Sequence, residues 1–121
     1  MNVLFVHSEE DAFSPEKPLE IQERVQFGIS YISSLLKQEG HRTELVVICR
    51  ETPHLLEEYI KSFDPGLVCF TSVYAEYRFI SRMANETKRR HPGLFLALGG
   101  AHASLQPERC LEEASFDAVC V

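Results

Sequence analysis

No apolar run in this chain approaches membrane-spanning length, and the N-terminus lacks the basic-then-apolar pattern of an export signal. A cytoplasmic protein is therefore expected, with no membrane partner. The four cysteines, Cys49, Cys69, Cys110 and Cys120, stand far apart, so there is no Cys-x-x-Cys zinc or redox pair. Cys69 and Cys120 lie inside apolar runs and read as small core residues. Positive charge is scarce as well. Lys and Arg number 12 against 18 Asp and Glu, a net charge of -6, which opposes binding to a nucleic-acid backbone. The one basic run, Lys88-Arg89-Arg90, reads as the solvated last turn of a helix, where cations suit the dipole. Repeats and low-complexity tracts are absent.

Several phosphate and nucleotide signatures are missing too. Gly-x-Gly-x-x-Gly does not follow the first apolar run, and no Walker loop occurs. Thr71 and Ser72 stand where a receiver domain carries its phosphoacceptor Asp. The segment after the first run holds Glu9, Glu10 and Asp11, which repel a flavin phosphate. Nothing reads as a nucleophile, a base and an orienting group, so no catalytic residue and no metal ligand is assigned.

What remains is regular. The chain has 121 residues, 45% hydrophobic and 25% charged, enough for one domain spanning 1–121. Asn2 to Val6 reads as a central strand, and His7 to Glu23, with Pro15 and Pro18, as a long loop. Val25, Gly28, Ile29, Ile32, Leu35 and Leu36 recur at helical spacing up to a stop at Gly40. Thr43 to Cys49 is a second strand, and Thr52-Pro53 reads as an N-cap with a first-turn proline. Leu55, Leu56, Tyr59, Ile60 and Phe63 form a helical stripe broken at Asp64-Pro65-Gly66. Leu67 to Thr71 is a third strand, followed by a helical face of Phe79, Ile80, Met83, Ala84 and Thr87. His91-Pro92-Gly93 stops that helix. Leu94 to Leu98 is a fourth strand, Pro107 to Glu113 a short helix, and Asp117 to Val121 a fifth strand.

Strands alternating with helices predict an α/β fold: a Rossmann-like, doubly wound, parallel five-stranded sheet in flavodoxin-like order 2-1-3-4-5, within three α/β/α layers. A fifth strand without a following helix leaves one sheet face partly bare. A partner region beyond Val121 is expected on that ground, 1–121 being a fragment of a longer enzyme.

Ligands of such sheets bind outside the carboxyl ends of the strands. Here those ends are His7-Ser8, Thr71-Ser72-Val73-Tyr74 and Gly99-Gly100-Ala101-His102. Ser72 offers a hydroxyl to a ligand or caps the next helix; Tyr74 packs on a flat ring or on the rim. The glycine pair is either a tight strand-to-helix turn or a place where backbone meets a bulky ligand. On the second reading, a side chain at Gly100 disturbs binding and spares the fold. His41 reads as a solvent-facing residue after the first helix, and His54 and His91 as helix-end residues. His7 and His102 lie on the ligand side.

The opening strand resembles a known family, as do Phe27-Gly28-Ile29-Ser30-Tyr31-Ile32 running on to Gly40-His41, and Phe63-Asp64-Pro65-Gly66-Leu67-Val68. Thr71-Ser72, His91-Pro92, Leu98 to Ser104 and Phe116 to Val119 complete the pattern. It is similar to the N-terminal cobalamin-binding domain of radical S-adenosylmethionine (radical SAM) enzymes. The resemblance implies a corrinoid at the C-terminal sheet edge, contacted by Ser72, Val73, Tyr74, Gly99, Gly100 and His102. It also implies a downstream barrel of the same chain, holding S-adenosylmethionine and a 4Fe-4S cluster, for methyl transfer or radical chemistry. The cluster motif Cys-x-x-x-Cys-x-x-Cys is absent from these residues, so they are expected to be catalytically silent by themselves. Asp-x-His-x-x-Gly, which places a cobalt-ligating imidazole in other cobalamin domains, is absent as well. Two further readings are a degenerate domain that docks or recognises substrate without cobalamin, and a free-standing flavin- or nucleotide-binding module.

Overall fold

A computed structural model describes residues 1–8, 27–72 and 76–121. Five strands form one sheet in the order β2-β1-β3-β4-β5. They are β1 (Asn2–Ser8), β2 (Arg42–Ile48), β3 (Leu67–Thr71), β4 (Phe95–Gly99) and β5 (Ala118–Val119). Every pairing is parallel, as expected for strands joined by crossover helices. The helices are α1 (Phe27–Gln38), α2 (His54–Phe63), α3 (Tyr77–Arg90), α4 (Ala101–Leu105) and α5 (Pro107–Glu113). The predicted fold class and strand order are those observed.

The side-chain alternation of the strands divides the molecule into two unequal faces. Leu4 pairs with Val68, and Val68 with Leu96; Val6 pairs with Val46 and Phe70, and Phe70 with Leu98. These residues share one face and are buried there with Leu56 and Ile60 of α2, Phe79, Ile80 and Ala84 of α3, Ala103 of α4 and Cys110 of α5. The opposite face carries α1, tied to β2 by a hydrogen bond between the Ser33 and Thr43 hydroxyls. None of the α1 side chains is fully buried. On the same face Leu45 and Val47 of the edge strand β2 stay about two-fifths exposed, at 41% and 42%. Among the described residues this exposure lies on β2, at the sheet edge opposite the fifth strand where the sequence places the bare face.

Local chemistry explains the boundaries. Gly40, at φ 89°, ends α1 in a Schellman arrangement: the His41 N–H donates to the Leu36 carbonyl and the Gly40 N–H to that of Lys37. The Asn2 side-chain amide donates to the Phe63 carbonyl at 2.7 Å, satisfying an acceptor at the end of α2 and fixing that helix to β1. Asp117 accepts from Lys88 Nζ at 2.7 Å and from the Leu96 N–H at 2.8 Å, which holds the start of β5 against β4 and α3.

Several local expectations are corrected. His7 and Ser8 continue β1 instead of opening the loop, because their backbone groups still pair with Val47 and Ile48 of β2. Thr52 does not cap α2; its hydroxyl turns back to accept from the Cys49 N–H, and Pro53 takes the cap position. Ile32 and Leu35 are about half exposed, since the inward seam of α1 is Ile29, Ser33 and Leu36. Cys120 is exposed and Cys69 only half-buried, whereas Cys49 and Cys110 are the core thiols. Residues 9–26, including Val25 and most of the predicted first loop, lie outside the described residues.

Candidate functional site

Strand order reverses between β1 and β3, and in open parallel sheets that switch point opens a crevice at the carboxyl ends. The β1 end contributes Ser8, which is buried and donates from Oγ to a Glu76 carboxylate oxygen at 3.2 Å. Glu76 is itself buried and occupies the N-cap position of α3, where its carboxylate suits the positive end of the helix dipole. The sequence places His7-Ser8 at a ligand-side strand end but gives no sign of Glu76; the pairing spans 68 positions of chain, so no local pattern announces it.

The ends of β3 and β4 meet through backbone. The Ser72 N–H donates to the Gly99 carbonyl and the His102 N–H to the Ser72 carbonyl, both at 3.2 Å. Gly100 sits at φ 98°, and a Cβ there would lie 2.8 Å from the Ser72 carbonyl oxygen and 2.8 Å from the Thr71 hydroxyl. The close approach that demands glycine is thus made to this chain's own third strand. A bulky residue at Gly100 strains the fold, contrary to the expectation that the fold would be spared. Gly99 differs, since among the described residues a Cβ on it meets nothing within 4 Å at the tip of β4.

His102 is not a loop residue. Ala101 to Leu105 form the short helix α4, and the imidazole is buried, its ring centroid 4.2 Å from that of Tyr77. Burial and the neighbouring Cys110 thiol push the Tyr77 phenol above its ordinary pKa. Ser72 is buried and does not cap α3, whose cap position belongs to Glu76. Val73 and Tyr74 lie outside the described residues. The structure therefore gathers Ser72, Gly99, Gly100 and His102 at one sheet edge, and adds Ser8 and Glu76.

Beside this edge runs an open groove of about 950 Å³, lined by Tyr77 and His102, by Gln106 and by Arg50, Arg78, Arg82 and Arg109 among others. Its basic character was not legible as a run of charge. Among the described residues, no group of three or more His, Cys, Asp or Glu is arranged to hold a metal ion, and no helix is long and apolar enough to cross a membrane.

The model of the B12 binding domain matches residues 23–121. The chain belongs to the B12-binding domain family. That match begins after β1, although β1 forms one side of the switch point. Among solved structures, a cobalamin-binding protein from Desulfitobacterium hafniense DCB-2 superposes with a TM-score of 0.73 at 10% sequence identity. The alignment covers 99% of this chain and 52% of that one, so this chain spans about half the length of the solved relative. At that identity the likeness speaks for the fold. No curated protein matches the sequence.

The residues of this B12-binding domain suit a corrinoid, a broad macrocycle rimmed by carboxamide arms. The open space at Gly99 leaves room for its bulk. Ser8, Glu76, Thr71 and Ser72 supply side-chain donors and acceptors at the same edge, matching what carboxamides require.

Proposed function

We propose that the chain binds cobalamin at the C-terminal edge of its sheet and, within a longer polypeptide, presents it to a radical SAM barrel. The observation that carries the first part is the open switch-point edge ending in Gly99, in a chain whose residues 23–121 match the B12-binding domain model. Ser72, Gly99, Gly100 and His102, with Val73 and Tyr74 after β3, are the proposed corrinoid contacts. When bound, cobalamin supplies alkyl-transfer or radical chemistry at its cobalt. The chain's own part is to hold the macrocycle, satisfy its amides and orient it. The barrel rests on the family resemblance of Leu98 to Ser104 and of the helix ending at Gly40-His41. S-adenosylmethionine and the 4Fe-4S cluster belong to that barrel.

Titrating hydroxocobalamin into the protein and following its visible absorption tests the binding step; saturable one-to-one binding is the expected result. An unchanged spectrum, with no complex in gel filtration, assigns the domain to docking without cofactor. Sequencing past Val121 tests the barrel: an open reading frame with Cys-x-x-x-Cys-x-x-Cys is expected.

Ligation follows from the same residues. Asp-x-His-x-x-Gly is absent and the buried His102 ring packs at a tilt against Tyr77, so we predict no protein imidazole on cobalt. His7→Ala and His102→Ala should leave the ligation state seen by electron paramagnetic resonance of the reduced cofactor unchanged. Nitrogen hyperfine coupling from a protein imidazole, lost in His7→Ala, would overturn this.

A further inference from the structure

The groove beside the sheet edge is lined by four arginines from three separate parts of the chain: Arg50 after β2, Arg78 and Arg82 on α3, and Arg109 on α5. The chain as a whole carries a net charge of -6, so this concentration of one sign runs against its composition. The groove's carboxylate, Glu113, is already held by Arg109 at 2.6 Å. Arg78 and Arg82 have no ion pair among the described residues, and both are exposed.

Their placement is unfavourable for the isolated fold. Arg78 lies in the first turn of α3, at the positive end of the helix dipole, where an acidic residue is preferred. Arg82 is four residues on, so two like charges face each other on one helix surface. A concave surface lined by one sign of charge concentrates the opposite ion. Guanidinium groups meet phosphate oxygens two at a time, which favours phosphate over a monovalent halide.

We propose that this groove is a phosphate-binding site, with Arg78 and Arg82 as the contacts and the pair Arg50 and Arg109 setting its field. The phosphate has two sources with the same chemistry: a free phosphate or polyphosphate, or the phosphodiester in a corrinoid's nucleotide tail. His102 lines both the groove and the edge, so a tail leaving that edge can enter it. The site does not depend on the corrinoid reading, and the experiment separates the two.

The test uses calorimetric titration of the 121-residue chain, with inorganic pyrophosphate, cobalamin and cobinamide, which lacks the tail phosphate. Arg78→Gln/Arg82→Gln is compared with Arg90→Gln, at the other end of α3. Circular dichroism and thermal melts confirm that each variant folds. Binding of pyrophosphate by the wild type, weakened about tenfold or more by the double substitution, supports the free-phosphate source. A similar loss for cobalamin with none for cobinamide supports the tail source. In either case rising salt should mimic the substitution, and Arg90→Gln should change little. Pyrophosphate binding without cobalamin binding leaves this site standing and overturns the corrinoid reading. Equal affinities in wild type and double variant for all three ligands, or no binding of any, overturns the proposal.

Discussion

A methyl group placed on Gly100 lies 2.8 Å from a backbone oxygen of Ser72, whereas one placed on the preceding Gly99 meets nothing within 4 Å among the described residues. The two glycines are indistinguishable in sequence, since both end the same apolar run. Their difference arises because Thr71 and Ser72, at the end of β3, lie against Gly100 and not against Gly99. Gly100→Val is expected to cost about 1–3 kcal/mol from the backbone conformation, with the overlap adding to it. Gly99→Val, in extended conformation, should change stability by less than about 0.5 kcal/mol in chemical denaturation. On the corrinoid reading it should still weaken cobalamin binding, because it fills the open space. A stable Gly99→Val protein with wild-type affinity would remove Gly99 from the contact set. His102 shows the same limit of local reading. Its position after the glycines was readable, while its ring contact with Tyr77 depends on a helix 25 residues upstream.

At the scale of elements, the closure of β5 depends on Asp117. Lys88 first, and then the Leu96 N–H, hold its carboxyl below the ordinary carboxylate range. A depressed folded-state pKa means that the charged form is favoured by folding. The resulting stability is fully present above the unfolded-state value, near pH ~3.9, and is lost as pH falls through the lower folded value. The pair is about one-third exposed, which screens the Lys88 attraction and leaves the backbone bond as the larger share. Asp117→Ala is expected to cost roughly 1–2 kcal/mol at pH 7 and progressively less below pH ~4, measured by urea denaturation at several pH values. Equal costs at pH 7 and pH 3 would contradict it. Helix α1 stands at the other extreme. It has a Schellman end, a hydroxyl pair to β2 and no fully buried side chain. Its amides should exchange with deuterium well before those of β1 and β3, which lie in the sheet interior. Protection of α1 equal to that of β1 would show that its half-buried seam is worth more than its exposure implies.

For the whole molecule, the unequal faces matter most. Helices α2, α3, α4 and α5 pack on one side of the sheet, and α1 stands on the other. A ligand at the carboxyl edge touches loops from several crossings and so links elements that otherwise meet through the sheet. If cobalamin binds only the folded state, ligand at 100 times Kd should stabilise it by about 2.7 kcal/mol, seen as a rise in Tm that grows with ligand concentration. An unchanged Tm at saturating cobalamin would count against binding to the native fold.

The sequence by itself determined the five parallel strands, their order, and which segment ends stand at the ligand edge. These follow from local matters: apolar runs of strand length, helical spacing between them, helix stops at Gly40 and Asp64, and the handedness of crossovers. Membership in the B12-binding domain family, matched over residues 23–121, was foreshadowed by the resemblance carried by the helix ending at Gly40-His41 and by Leu98 to Ser104. Only the tertiary structure decided what happens among residues far apart in the chain. It joined Ser8 to Glu76, set Gly100 against Ser72, and buried His102 on Tyr77. It also collected four scattered arginines into one groove. None of these leaves a local trace, because a hydrogen bond or a convergence of charge between distant residues depends on through-space distance, which the folded sheet alone sets.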